Sequence, residues 1–349
     1  MLESVSEPVV SIVLPVYNAA ATLTECIESI RAQNLQHFEV IVIDDGSVDA
    51  SQSILRCWAE ADKRVVLLRQ EHLGIVAALN HGMQQARAPF IARMDADDVM
   101  HPARLQMQYE ALSRDPGLDL VAAQVELFPV NKIQAGYAEY IRWQNAVLST
   151  KDISQEIYVE SPFAHPTVMF RKSVVERLGA YREGDFPEDY DLWLRLYHAG
   201  CRMKKLPVPL LRWRESDYRA SRIDQRYSVE AFDRLRAHYL VQDVRLKTAR
   251  PIVYWGAGRR TRKRTAWLIE KGYKPRAWID IDGRKIGNCF AGAQVKEPEW
   301  LVRDGGRQAG DNEKPFVLSY VTNHGAKQII AEQLAGYGYQ KGVDFLQIG

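Results

Sequence analysis

Four short apolar runs dominate the first hundred residues, each followed by a helical pattern or an acidic cluster. Val9 to Leu14 is a β-branched run closed by Pro15. Val40 to Ile43 runs into Asp44-Asp45-Gly46, Val65 to Leu68 is the third, and Phe90 to Met94 runs into Asp95-Ala96-Asp97-Asp98. Continuous apolar runs of this length read as strands buried on both faces. Between them, Thr22 and Glu25 have the spacing of a capping box beside the Leu23, Ile27 and Ile30 stripe, Asp49 to Glu60 reads as helical, and Gly74 to Ala86 reads as an alanine-rich helix. Strand–helix alternation predicts a mostly parallel sheet covered by helices, with ligands bound beyond the carboxyl ends of the strands. Three polar clusters fall at such ends: Tyr17-Asn18, Asp44-Asp45 and Asp95 to Asp98.

The pattern then loosens. Pro102 to Leu112 and Asp189 to His198 read as helices, and Leu120 to Leu127, Pro166 to Phe170 and Leu210 to Trp213 as strands; residues 129–160 give no clear pattern. Residues 224–245 read as a basic helix with Phe232, Leu235 and Tyr239 on one stripe. A second start follows, with a strand at Ile252 to Trp255, the turn Gly256-Ala257-Gly258, a helix from Thr261 to Lys271 and a strand from Ala277 to Ile281 bearing Asp280. The expected organisation is a domain over 1–220, a basic helical connector over 221–250 and a smaller α/β domain over 251–349.

Charge divides along the same line. The net charge is +2, but residues 1–200 carry 17 basic and 28 acidic side chains, and residues 201–349 carry 29 and 16. The near-neutral sum gives no reason to expect nucleic acid as a partner. The four cysteines are far apart and form no zinc or disulfide pattern. No apolar run approaches a membrane span and the acidic N-terminus does not resemble a signal peptide, so a cytoplasmic protein is expected.

Asp95 and Asp97 lie two apart at a strand end, so both carboxylates project to one side. Hard oxygen ligands so placed suit Mg²⁺ or Mn²⁺ together with substrate phosphates, although acids ahead of Pro102 also favour the start of a helix. Four motifs occur in order: Val-Ser-Ile-Val-Leu-Pro-Val-Tyr-Asn, Val-Ile-Val-Ile-Asp-Asp-Gly-Ser, Met-Asp-Ala-Asp-Asp and Pro-Glu-Asp-Tyr-Asp-Leu-Trp-Leu-Arg. Over about residues 8–220 the chain resembles family 2 inverting glycosyltransferases of the GT-A fold.

The resemblance implies a nucleotide-sugar-binding mixed sheet flanked by helices. It implies transfer of a sugar, with inversion, from a nucleotide-diphosphate donor, UDP-linked by expectation, to a hydroxyl of a glycan or lipid-linked glycan. Donor binding falls to Pro15, Tyr17, Asn18, Asp45, Gly74, Asn80 and Asp95. Asp95 and Asp97 hold Mn²⁺ or Mg²⁺, and Asp189 is the general base, supported by Glu188. His165 falls near the acceptor, and Arg212 and Arg214 within reach of the diphosphate. Leu79 stands where the family often has arginine, and Ser216 where a family histidine is common. The last hundred residues resemble Rossmann-like domains appended to some bacterial sugar-transfer enzymes, with a degenerate Gly256-x-Gly258 fingerprint and five cations between Arg259 and Arg264. A basic face there and over 201–250 is expected to meet an anionic membrane surface or a diphosphate-lipid acceptor. Two rivals stand beside this reading: a nucleotide-sugar-binding module without turnover, and an oxidoreductase built on the C-terminal domain.

Overall fold

The computed structural model describes residues 7–216, 224–303, 314–323 and 325–349. The chain divides into two compact units, one of residues 1–153 and 162–226, the other of residues 154–161 and 227–349.

The first unit alternates β1 (Val10–Val16), α1 (Ala20–Arg31), β2 (Phe38–Asp44), α2 (Ser51–Ala61), β3 (Val65–Arg69), α3 (Ile75–Gln85) and β4 (Phe90–Arg93). β5 (Val99–Met100), α4 (Arg104–Arg114), β6 (Leu118–Phe128) and α5 (Ala135–Ala146) follow. After α6 (Thr150–Glu156), whose last residues join the other unit, come β7 (Met169–Arg171), α7 (Lys172–Arg177), α8 (Glu188–His198) and β8 (Arg202–Arg214). The eight strands form one mixed sheet in the order β3-β2-β1-β4-β7-β6-β8-β5. β1 pairs in parallel with β2 and β4, whereas β7 runs antiparallel to β4 and β6. All seven residues of β1 and of β2 are buried, which is why neither shows polar alternation. Ser11 and Glu39, buried polar members of these strands, satisfy each other at 2.7 Å, and Glu39 also accepts the Arg87 amide at 2.7 Å.

The stretch without a sequence pattern contains α5 and α6. α5 buries only Ile141 and Gln144, while Tyr137, Tyr140 and Trp143 are half-buried around it, so no single apolar stripe marks it.

The second unit holds α9 (Val229–Leu240), β9 (Ile252–Trp255), α10 (Arg259–Glu270), β10 (Pro275–Ile279), β11 (Cys289–Phe290), β12 (Ala293–Lys296), β13 (Phe316–Ser319), α11 (Ala326–Gly336) and β14 (Phe345–Gln347). Its sheet order is β11-β12-β10-β9-β13-β14, parallel except for the β11–β12 edge. α9, placed by sequence in a connector, belongs to this unit. Its Asp233 is held by Arg264 through bonds of 2.8 to 3.0 Å, and its Arg236 donates to Val159 O and Gly349 O, each at 3.0 Å. Ser228 caps the helix by accepting the Ala231 amide at 3.2 Å, so the helix begins five residues later than the sequence pattern indicated.

Candidate active site

Asp45 follows β2 and is almost fully buried. Its Oδ1 accepts the Leu73 amide at 2.9 Å and Gln70 Nε2 at 2.7 Å, its Oδ2 accepts the Gly74 amide at 3.0 Å, and His72 Nδ1 lies 3.0 Å from it. The carboxylate thereby orders the 70–74 loop ahead of α3. Gly74 takes φ +88°, a left-handed conformation that L side chains rarely adopt, and the space beside its Cα is open. Tyr17 stacks on His72 with ring centroids 3.9 Å apart and remains half-exposed, presenting a flat apolar face. Asn18 ties the end of β1 to the neighbouring turn: its Oδ1 accepts the Val48 amide at 2.9 Å, and its amide donates to Ser47 Oγ at 3.0 Å. Pro15 is buried within β1. Asn80, expected at the donor, bonds to the main chain of Tyr181 on both sides of its amide.

At the end of β4, ligand oxygens of Asp95, Asp97 and Asp98 lie within 4.8 Å of one another. Asp98 is fully buried and accepts the Arg214 amide at 2.8 Å, so Asp95 and Asp97 are the more accessible pair. Asp95 forms an ion pair with buried Arg93. An all-oxygen set of this kind fits a hard divalent cation. Behind it the Cys26 thiol bonds Asp95 O at 3.4 Å, and burial together with the acids pushes its pKa up, so it stays a thiol.

α8 opens with Glu188, Asp189 and Asp191 in its first turn, where the helix dipole favours carboxylates. Glu188 is buried with its Oε1 3.8 Å from His165 Nδ1, and His165 Nε2 lies 2.8 Å from the Tyr181 hydroxyl. Burial, reinforced by the Arg93 charge, holds the His165 imidazole well below its usual pKa, so it is neutral at pH 7. Asp189 is half-buried, with its Oδ1 accepting the Tyr190 amide at 2.7 Å. Desolvation raises the Tyr181 pKa, and the charges of Arg93, Asp189 and Glu188 act on it as well. Arg93 thus pairs with the acidic cluster, and its charge also acts on His165 and Tyr181.

Arg212 and Arg214 flank the Phe128 ring, each 4.3 Å from its centroid. Both pair with Glu25, and Arg214 Nε also donates to Asp97 O at 2.6 Å. Arg214 therefore braces the acidic loop. In the second unit the fingerprint acid Asp280 accepts the Ala257 amide at 2.9 Å, the Asp282 amide at 2.9 Å and Lys285 Nζ at 3.1 Å. Its carboxylate is engaged by its own turn rather than presented to a ribose. Of the nearby cations, Arg264 pairs with Asp233, Arg262 sits 3.7 Å from the Phe290 centroid and Lys263 pairs with Glu230, while Arg259 and Arg260 are exposed.

Sequence reasoning passed over Arg93, Tyr181 and His72 as parts of this site. A charged residue inside the buried run Phe90–Arg93 was the available signal for the first; the other two become visible only through contacts between distant segments.

Residues 11–179 match the model of glycosyl transferase family 2. The amylovoran biosynthesis glycosyltransferase AmsE of Erwinia amylovora is 31% identical over 207 residues, covering 58% of this chain and 75% of the relative. The chain belongs to glycosyl transferase family 2. The putative glycosyltransferase EpsE of Bacillus subtilis is 30% identical over 230 residues, 64% of this chain and 80% of that one. A UDP-Gal:alpha-D-GlcNAc-diphosphoundecaprenol beta-1,3-galactosyltransferase of Escherichia coli is 27% identical over 218 residues, 62% and 77%. Among solved structures, S. aureus TarS 1-349 in complex with UDP-GlcNAc superposes with a TM-score of 0.54 at 17% identity, covering 75% of this chain and 70% of that one. The family's GT-A architecture is that of the eight-stranded unit. No helix among the described residues is long and apolar enough to cross a membrane.

Proposed function

We propose that this family 2 glycosyltransferase inverts the anomeric centre of a sugar carried on a nucleoside diphosphate, UDP by preference, and delivers it to a hydroxyl of a lipid-linked glycan. In this reading Tyr17 offers its exposed face to the base, and Asp45 orders the adjoining loop, whose open space at Gly74 lets a ligand approach the backbone. Asp95 and Asp97 hold the cation. A divalent ion there offsets charge on the departing diphosphate. Asp189 accepts the proton of the acceptor hydroxyl as that oxygen bonds to the anomeric carbon; the bond to the diphosphate oxygen breaks, and the nucleoside diphosphate leaves with the electron pair. Neutral His165 and buried Glu188 support the head of α8 from below.

The observation that carries this reading is the placement of Arg93. It pairs with Asp95, and its charge also acts on His165 and Tyr181, of which His165 lies 3.8 Å from Glu188 beside the proposed base, which supports reading the acidic cluster and the head of α8 as one site. UDP and lipid-linked acceptors are supported by the E. coli relative's description. The test is hydrolysis of a panel of nucleotide sugars with and without Mn²⁺ or Mg²⁺, because slow hydrolysis needs no acceptor. Metal-stimulated hydrolysis of one UDP-sugar is expected, and no stimulation with any donor would reject the reading in favour of a binding module without turnover. An oxidoreductase on the second unit is disfavoured by the engagement of Asp280. Exposed Arg259 and Arg260 give that unit an affinity for anionic lipid surfaces, tested by sedimentation with phosphatidylglycerol vesicles at two salt concentrations.

A further inference from the structure

The segment between α7 and α8 is gripped from both sides. On one side Asn80, in the middle of α3, presents its planar amide to the main chain of Tyr181: Nδ2 donates to Tyr181 O at 2.9 Å, and the Tyr181 amide donates to Oδ1 at 3.1 Å. An asparagine side chain carries the same donor and acceptor as a peptide group, so this pair acts as a short rung between two segments 101 residues apart. On the other side Arg195 of α8 donates to Leu178 O at 2.7 Å and to Ala180 O at 2.6 Å, and its Nε is fixed by Asp191 at 2.8 Å. Gly179 and Ala180, at φ +87° and +53°, turn the chain so that these carbonyls face Arg195 while Tyr181 faces Asn80.

α3 is anchored as well. The Leu73 and Gly74 amides at its start donate to Asp45. From Gly74 to Asn80 the helix rises about 9 Å. A continuous path of hydrogen bonds therefore runs from Asp45 along α3, through Asn80 to Tyr181, and through Arg195 into α8, whose first turn bears Glu188 and Asp189.

We propose that Asn80 is a positioning residue that fixes the Glu188–Asp189 end of α8 relative to the Asp45 end of α3. The proposal rests on the reading of Asp189 as the base. It assigns Asn80 a role different from direct donor contact, because its amide is joined to Tyr181 on both sides. Correct separation of donor and base is worth a large part of a rate enhancement, and small misplacements are expensive.

The test uses the full chain. In Asn80→Ala, backbone amide exchange over residues 178–191 rises about tenfold while that of residues 38–45 and 90–98 is unchanged. The kcat for donor hydrolysis or transfer falls about tenfold or more. Affinity for UDP or GDP with Mn²⁺, whichever stabilises the wild-type chain, stays within about threefold. Asn80→Asp keeps the acceptor for the Tyr181 amide but cannot donate to Tyr181 O; it gives the same readings if the alanine variant does not fold. Tyr181→Phe retains both main-chain bonds and loses only the hydroxyl contact to His165, so exchange over 178–187 stays at the wild-type level. Unchanged exchange in both Asn80 variants overturns the proposal, as does a loss confined to nucleotide affinity with kcat retained. A rise in Tyr181→Phe equal to that in Asn80→Ala overturns it too, because the anchor is then the phenol. Exchange is read without substrate, so failure of the base assignment is seen separately, as normal turnover in Asp189→Asn.

Discussion

Arg93 and Asp95 form an ion pair at the end of β4, with the guanidinium buried and the carboxylate reaching the accessible side. The arginine is itself held from behind, because buried Arg104 donates to Arg93 O at 2.7 Å. Desolvation pushes the Arg104 pKa down to about 9, with the like charge of Arg93 adding to it. Removing Arg93 takes away the charge that Asp95 pairs with and frees that carboxylate to rotate. Arg93→Met is expected to weaken Mn²⁺ stimulation of donor hydrolysis by about 10–100-fold, as for other groups that orient a metal ligand. The measurement is the Mn²⁺ concentration giving half-maximal hydrolysis, which stays at the wild-type value if Arg93 only fills space.

Asp97→Ala and Asp189→Asn separate the two halves of the chemistry. The first should abolish metal-dependent hydrolysis. The second should retain Mn²⁺-dependent nucleotide binding and lose transfer by about 10²–10⁴-fold, the usual contribution of a positioned general base. Calorimetry with UDP and a transfer assay on each variant check the split, and near-normal transfer in Asp189→Asn removes the base role.

The positions of the acids were legible in the sequence, and for a physical reason. β1, β2 and β4 are buried on both faces, so their apolar runs and terminal acids stand out: Asp45, Asp95 and Asp97 lie at strand ends as the alternation requires. Asn80 and Tyr181 were different. The sequence carries no trace of a bond between residues so far apart, and an asparagine on a helix beside a glycine-marked loop reads equally well as a ligand contact. Arg212 and Arg214 had the right chemistry for a diphosphate, but Glu25 and the Phe128 ring, which hold them, come from other parts of the chain.

Lys205 gives a pH dependence. Its amine is buried, donates to Gln144 O, and desolvation pushes its pKa down to about 7 from an ordinary 10.5. A base with a depressed folded-state pKa makes the unfolded chain bind more protons between those two values, so the folded state loses stability as pH falls from about 10.5 to about 7 and loses no more below that. Stability from this group therefore rises between pH 7 and pH 10. Lys205→Met should flatten that rise in urea midpoints measured across the window; an unaltered slope would show that the amine is not desolvated.

In the second unit Arg264 faces Asp233 through both of its carboxylate oxygens. Arg264→Ala should destabilise this unit by about 3 kcal/mol, because it removes one partner of a buried ion pair. Arg236 still touches Asp233 at 3.2 Å, which limits the loss to about that figure. Urea unfolding of the full chain followed by tryptophan fluorescence is the readout, with a midpoint within error of wild type as the contrary result.

Residues 154–161 belong to the second unit although they lie within the sequence of the first. Ile157, Tyr158 and Val159 are buried, the Tyr158 hydroxyl donates to Asp243 at 3.0 Å, and the Gly349 amide at the far end of the chain donates to Tyr158 O at 3.0 Å. No single cut yields two intact halves. Truncation after residue 226 strips these three apolar side chains of their partners and leaves a sticky strip on the catalytic half, while a fragment starting at 227 lacks the piece that receives Arg236, Arg245 and the C-terminus. Anyone wishing to express the sugar-transfer half alone must also replace that octapeptide with a polar bridge.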